Sequence, residues 1–294
     1  MKSTLFLNSL SCVDHAFIAP DGKLVGGSWL PDVFVTGEVI GDESVVVDFS
    51  TIKKDIKNLI DDPETGYDHK LLFFEGISQG NVSEVDGVVT IKTNHVEFVG
   101  PANAVKIAKA ASPQEALRNH IEAGLKEKYP ELNITVVVNV KMDRVHGLYE
   151  HNQYFFRYVH GLKSSTSWGC GNLAHGHLSF LEPIGGDDLG NRLLMNQIAS
   201  QLDQVVFIYK ENIIEQDEEK IIIGYDKTVC GRGPFKLTID PRTCKFAILD
   251  TETTIEYLAE FVKTHWGEAM KSHGITTLLI SEGLSKGALA DLTK

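Results

Sequence analysis

Two histidines flanking one glycine, His175-Gly176-His177, form the segment of this chain best suited to chemistry. On a β-strand, residues i and i+2 face the same side, so both imidazoles can reach one ion. A third histidine, His160, closes the strand-like run 153–160. Neighbouring antiparallel strands lie about 4.8 Å apart, so His160 can complete the set. Three neutral imidazoles with an open fourth position are the ligand pattern of a catalytic zinc ion, which would polarise a substrate oxygen. Cys170 lies nearby. The ordinary alternative is a His-x-His pair that faces solvent or core by chance.

The elements that must position these residues repeat along the chain. In the first half, a strand over 4–17, ending near His15, is followed by a glycine-rich stretch over 22–27 and a strand over 29–39. A short strand at 45–47 follows, then a helix over 51–60 capped by Asp48, with Ile52, Ile56, Leu59 and Ile60 at helical spacing. Tyr67-Asp68-His69 forms a turn, and 87–99 is a polar strand-like region. Ser112-Pro113-Gln114-Glu115 has the N-cap, proline and acidic residue of a helix start, predicting a helix to about Tyr129 and then a strand over 134–140. The second half repeats this order. Strands are expected at 153–160 and 177–181, a helix at 189–202, and strands at 220–223 and 235–239. A helix opens at Thr253-Thr254-Ile255-Glu256, and a strand over 276–280 ends at Ser281-Glu282-Gly283. His15 and His160, Asp68 and Asp203, Glu115 and Glu256, and Asp143 and Glu282 are landmark pairs, each roughly 140 residues apart. This predicts a duplicated domain, 1–149 and 150–294, against the alternative of two unrelated α+β domains. Each half reads as α+β, with antiparallel sheets and helices packed on one face.

Composition agrees with two cores. The chain has 294 residues, 43% hydrophobic and 23% charged, which suits about two domains and excludes a disordered chain. No apolar run reaches the roughly 18–20 residues of a bilayer span. The N-terminus begins like a signal peptide, but Asn8, Ser9 and Asp14 interrupt it, so it is expected to be a strand. A net charge of −12 disfavours a nucleic-acid surface. Cys12, Cys170, Cys230 and Cys244 form no CxxC pair, which favours a reducing cytoplasm over a disulfide framework. Cys230-Gly231-Arg232-Gly233-Pro234 reads as a turn, with Arg232 as a possible phosphate contact.

A strand histidine, a cysteine, His-Gly-His, a later Asp-His, a Pro/Thr-x-Glu helix start and a strand ending in x-Glu occur in the chain. In this order the motifs resemble the 6-pyruvoyl-tetrahydropterin synthase family. That family includes the 6-carboxy-tetrahydropterin synthases of the 7-deazaguanine (queuosine) pathway. The resemblance covers both halves and implies two tandem T-fold (tunnelling fold) copies. It implies Zn2+ on His160, His175 and His177, Cys170 as catalytic cysteine, and Glu282 as anchor of the pterin 2-amino and ring N–H edge. A carboxylate suits that edge because it accepts two parallel hydrogen bonds. Thr254, at the helix start, is implied as a substrate contact. The second half reads Leu202-Asp203-Gln204 where the family has Asp-His. The first half keeps His15 but has Val25-Gly26-Gly27 in place of His-Gly-His, an alignment supported by Trp29 and Thr36-Gly37-Glu38. It lacks the cysteine and has Asp143 for the glutamate, yet keeps Asp68-His69.

Each half has therefore lost what the other retains. Family sites lie between barrel units, so one composite site is expected: zinc, Cys170 and Glu282 from the second half, Asp68 and His69 from the first, in the same or another chain. The implied activity is a zinc-dependent carbon–carbon or carbon–oxygen lyase on 7,8-dihydroneopterin triphosphate or a related pterin. The branch stays open, with the 6-carboxy reaction favoured by a bacterial-looking, cytosolic chain. The alternatives are a non-catalytic pterin- or purine-binding scaffold and a zinc hydrolase. A homo-oligomer is expected, because isolated T-fold units leave sheet edges open. Two long inserts, about 74–111 and 205–250, exceed the family core and could reshape the pocket.

Overall fold

The computed structural model describes residues 1–41, 44–139 and 152–293. The first half contributes β1 (Lys2–Leu7), β2 (Val13–Ile18), β3 (Leu24–Glu38), α1 (Phe49–Asp61), β4 (Lys70–Phe74), β5 (Asn81–Val85), β6 (Val88–Lys92), β7 (Val96–Pro101), β8 (Val105–Ala108), α2 (Pro113–Lys128) and β9 (Asn133–Asn139). The second contributes β10 (Tyr154–His160), β11 (His175–Gly185), α3 (Asp188–Leu202), β12 (Val205–Tyr209), β13 (Ile213–Gln216), β14 (Ile221–Tyr225), β15 (Phe235–Ile239), β16 (Lys245–Leu249), α4 (Ile255–Ser272), β17 (Ile275–Glu282) and β18 (Lys286–Asp291).

Helix starts follow local capping chemistry. Asp48 accepts from the Thr51 N–H, Ser112 from Glu115, and Asp187 from Gly190. The opening segment is two strands rather than one, because Ser9 adopts a left-handed φ of 49° and turns the chain. The segment expected as a strand at 45–47 makes only an isolated bridge between Ile40 and Val45. The glycine-rich stretch is mostly strand: β3 starts at Leu24 and takes in Gly26 and Gly27.

The two halves show one pairing order. The first sheet runs β8-β4-β2-β3, with β9 on β3; the second runs β16-β12-β10-β11-β17. Neither is purely antiparallel, which corrects the expectation from the sequence. β4 pairs parallel with β2 and β8, and β12 pairs parallel with β10 and β16. Each parallel step is a crossover made through a helix or through an insert, which an antiparallel hairpin would not need. The inserts build a third sheet, β13-β14-β15-β7-β6-β5, with three strands from each half. Its central pairing sets Leu237 opposite Phe98 and Ile239 opposite Val96.

Alternation along the strands separates the cores. In β4, Leu72 and Phe74 face α1 and α2, joining Ile52, Ile56, Leu117, Ile121 and Leu125. Leu71 and Phe73 face the other way, into a core shared with Val159, Val206, Ile221 and Leu237 of the second half. In β12, Val205 and Phe207 pack with α3 and α4, and Val206 and Ile208 enter the shared core. Helices therefore cover one face of each sheet, and the opposite faces meet the third sheet. At the junction of the halves, backbones come very close. A Cβ on Gly26 would lie 2.0 Å from the Tyr158 carbonyl oxygen, so only glycine fits there.

Candidate metal centre

The β10–β11 hairpin sets His160 opposite His175 and Tyr158 opposite His177. His175 and His177 share a face, as their spacing predicts. All three histidines are buried, and their ligand atoms lie within 4.8 Å of one another. The Nδ1 of His160 donates to Thr253 O and that of His175 to Asn172 O, each at 2.7 Å, whereas His177 Nδ1 lies 3.2 Å from Asp14 Oδ1 without the alignment of a hydrogen bond. Protonated Nδ1 leaves the Nε2 of His160 and His175 with its lone pair, the form that binds a metal. Burial, with His177 beside it, pulls the His160 pKa down to about 3, and burial with His160 pulls His175 well below its ordinary value. Both imidazoles are therefore neutral, as ligands must be. The Nε2 atoms of His160 and His177 are 3.1 Å apart. That separation, a hydrogen-bond distance between the free rings, is close to the roughly 3.3 Å edge of a tetrahedron with zinc–nitrogen bonds of about 2.0 Å. The donor set fits zinc.

A second constellation from the same chain borders this centre. His69 precedes β4 with a left-handed φ of 54°. Its Nδ1 is 2.5 Å from Asp68 Oδ2 and its Nε2 is 3.5 Å from Cys170 Sγ. A Cβ on Gly169 would lie 2.7 Å from His69 Cγ, so glycine beside Cys170 admits the ring. Asn172 donates from Nδ2 to the His69 carbonyl at 3.1 Å, binding the cysteine loop to the first half. Burial opposes a charge on His69, but Asp68 and then Cys170 outweigh it and raise its pKa well above the ordinary value. Burial likewise opposes the Cys170 thiolate, but the hydrogen bond and charge of His69 prevail and lower its pKa. Both shifts favour charge separation within the His69–Cys170 pair, whose imidazole Asp68 orients. His69, Cys170 and His175 also lie within mutual ligand distance.

Glu282 ends β17 and is 2.9 Å from Lys286 Nζ across the β17–β18 turn. Burial raises its pKa, but His177 and Lys286 outweigh it and leave it lowered. Lys286 was not singled out in the sequence; only the turn register places it here. Thr254 is the N-cap residue of α4 and makes no side-chain cap bond, whereas its neighbour Thr253 holds His160. Arg232 is buried, with guanidinium donors on the carbonyls of Trp168 at 2.7 Å and Asn103 at 3.0 Å. It fastens the cysteine loop and is committed to protein carbonyls. Asp14 was also missed. It comes from the first half, is buried, and accepts from Ser28 Oγ at 2.5 Å. Burial opposes its charge, but His177 holds its carboxyl far below the usual range.

The first half repeats the local geometry without the ligands. Asp14 N–H donates to Asp68 Oδ1, and His69 N–H donates to the Asp14 carbonyl. In the second half, Arg157 N–H donates to Asp203 Oδ1 and Gln204 N–H to the Arg157 carbonyl. His69 and Gln204 share the left-handed φ. This register makes Asp14 the counterpart of Arg157, and His15 the counterpart of Tyr158 rather than of His160, which corrects the landmark drawn from the sequence. Phe17, paired with Val25, stands in the place of His160, paired with His175. Val25 and Gly27 correspond to His175 and His177, as the Val25-Gly26-Gly27 alignment expected. His15 packs on Trp29, with ring centroids 3.9 Å apart. Asp143 lies outside the described residues.

Comparison with known proteins adds the following. No protein-family model matches the chain, and no curated protein matches it. Among solved structures, the chain is similar to 6-pyruvoyltetrahydropterin synthase from Plasmodium vivax and to a catalytic-residue mutant of that protein. Each is 21% identical, with 49% of this chain and 94% of that chain covered, at a TM-score of 0.40. It is also similar to 6-pyruvoyl tetrahydropterin synthase from Plasmodium falciparum, at 21% identity, 47% and 91% coverage and a TM-score of 0.38.

Proposed function

We propose that this chain is a zinc-dependent lyase of the tetrahydropterin synthase type, built from two T-fold repeats, 1–149 and 150–294, that share one active site. The observation that carries this reading is the Asp68–His69–Cys170 relay from both halves, set against three converging imidazoles. A hydrolase built on the same histidines has no need of a thiolate–imidazolium pair beside them. The substrate is 7,8-dihydroneopterin triphosphate or a close pterin relative.

His160, His175 and His177 would hold the zinc, which supplies positive charge that acidifies a substrate side-chain hydroxyl. Cys170, as thiolate, takes a proton from the substrate side chain. His69 carries the second proton at Nε2, and Asp68 fixes its ring through Nδ1. Glu282 accepts the pterin N–H pair, releasing Lys286, a cation suited to a triphosphate on an otherwise acidic protein. Asn172 and Arg232 hold the cysteine loop over the centre. Either triphosphate elimination or carbon–carbon cleavage follows. Incubation with 7,8-dihydroneopterin triphosphate and mass-spectrometric identification of the product tests this. No product from a zinc-replete sample refutes it.

A second reading, a non-catalytic pterin- or purine-binding scaffold, is favoured by the ligand-free first half, where Phe17, Val25 and Gly27 hold no metal. It predicts ligand binding through Glu282 without turnover. The proposed setting is a reducing cytoplasm, which suits four free cysteines; no described helix is long and apolar enough to cross a membrane. A homo-oligomer is part of the proposal. Among the described residues, β5, β13 and β18 are outer strands whose free edges a second chain would pair.

A further inference from the structure

Asp14 touches every part of the proposed site. Its N–H donates to Asp68 Oδ1 at 2.8 Å, and its carbonyl accepts from the His69 N–H. Its carboxylate is buried, accepts from Ser28 Oγ and, at 3.4 Å, from the Cys12 thiol, and lies 3.2 Å from His177 Nδ1. The same carboxylate abuts the turn between β17 and β18, which carries Glu282 and Lys286.

The contact is made by Gly283. A Cβ there would lie 2.5 Å from Asp14 Oδ1 and 3.1 Å from Oδ2. The residue has a left-handed φ of 65°. That conformation alone does not demand glycine, because asparagine also adopts it. The contact does, since any Cβ would overlap the carboxylate. Beside it, Leu284 is buried with Leu30 and Leu178, and Cys12 packs against this cluster. Backbone pairing of β17 with β11 stops at Ile280 opposite Leu181, two residues before Glu282. The Glu282–Lys286 pair is internal to the hairpin. Gly283 and Leu284 are therefore what seats the turn on the first half.

We propose that Gly283 is a positioning residue for the substrate anchor: lacking a side chain, it lets the turn close on the Asp14 carboxylate, so that the first half sets where Glu282 meets its ligand. This rests on the pterin reading of Glu282 given above.

The zinc-loaded full chain is titrated with neopterin, a pterin that has no triphosphate to eliminate. Fluorescence gives the affinity, circular dichroism checks the fold, and hydrogen exchange over residues 281–287 reports how firmly the turn is seated. G283A and G283N should each bind neopterin about tenfold more weakly, with faster exchange over 281–287. Asparagine accepts the left-handed φ but still brings a Cβ, so a role in backbone strain alone would spare G283N. D14A removes the carboxylate that the new methyl group meets, so adding G283A to D14A should change neither affinity nor exchange further. Unaltered affinity or exchange in G283A, a G283N variant that behaves like the unaltered chain, or an undiminished loss on the D14A background overturns the proposal. G283N keeps the test decisive if D14A does not fold. An unaltered chain that binds no neopterin refutes the pterin reading, and the exchange pattern alone then decides whether Gly283 seats the turn.

Discussion

Asp14 Oδ1 lies 3.2 Å from His177 Nδ1, although the two residues belong to opposite halves of the chain. A carboxylate behind a ligating imidazole fixes its tautomer and raises its basicity. In the other repeat the register position of Asp14 is held by Arg157. D14N should therefore lower zinc affinity about 10–100-fold with the three histidines intact, read by competition with a chelator. Unchanged affinity would mean that Asp14 only fills space.

H69A removes the ring that pairs with Cys170 but no proposed zinc ligand. Turnover should fall about 10²–10⁴-fold while zinc content, measured by atomic absorption, stays the same. Wild-type turnover in H69A would remove the relay from the mechanism.

The pH dependence follows from opposite shifts. His69 lowers the Cys170 pKa, so the thiolate persists at pH values where an ordinary thiol is protonated; it is lost as pH falls through that lowered pKa. Alkylation of Cys170 by iodoacetamide should thus reach half its maximal rate below the ordinary thiol pKa of about 8.5. In H69A the largest lowering influence is gone, leaving only Ser167 and Lys286 against burial, and the profile should move up relative to the unaltered protein. An unshifted profile would contradict the ion pair.

H175A should release the metal while leaving the fold in place, because the hairpin is held by backbone pairing and by Tyr158, Phe180 and Leu181. A zinc assay alongside circular dichroism checks both points. Full occupancy would refute the ligand set.

G26A probes the junction of the halves. The added methyl would meet the Tyr158 carbonyl oxygen at 2.0 Å, which neither backbone can relieve alone. A loss on the order of 3 kcal/mol or more is expected, visible in calorimetry as a Tm lower by roughly 6–12 °C. A Tm within a degree of the unaltered protein would show that the sheets can separate.

Much of this was legible along the chain because it is local. Asp48 and Ser112 cap helices through bonds that span three residues. His175 and His177 share a face because a strand alternates, and Asp68 and His69 are adjacent. The same local logic misplaced His15, since sequence spacing could not reveal that hydrogen bonds from Asp14 and Arg157 set the register of the two repeats. Nor could it show that the inserts would pair β7 with β15 into one sheet, because strand edges carry little information about distant partners. Sequence alone determined which side chains could do chemistry and which short elements carry them. Tertiary structure decided which of them meet: Asp14 with His177, His69 with Cys170, and Gly26 with the Tyr158 backbone. These contacts join residues more than a hundred positions apart, and packing of two sheets, rather than any local preference, brings them within a few ångströms.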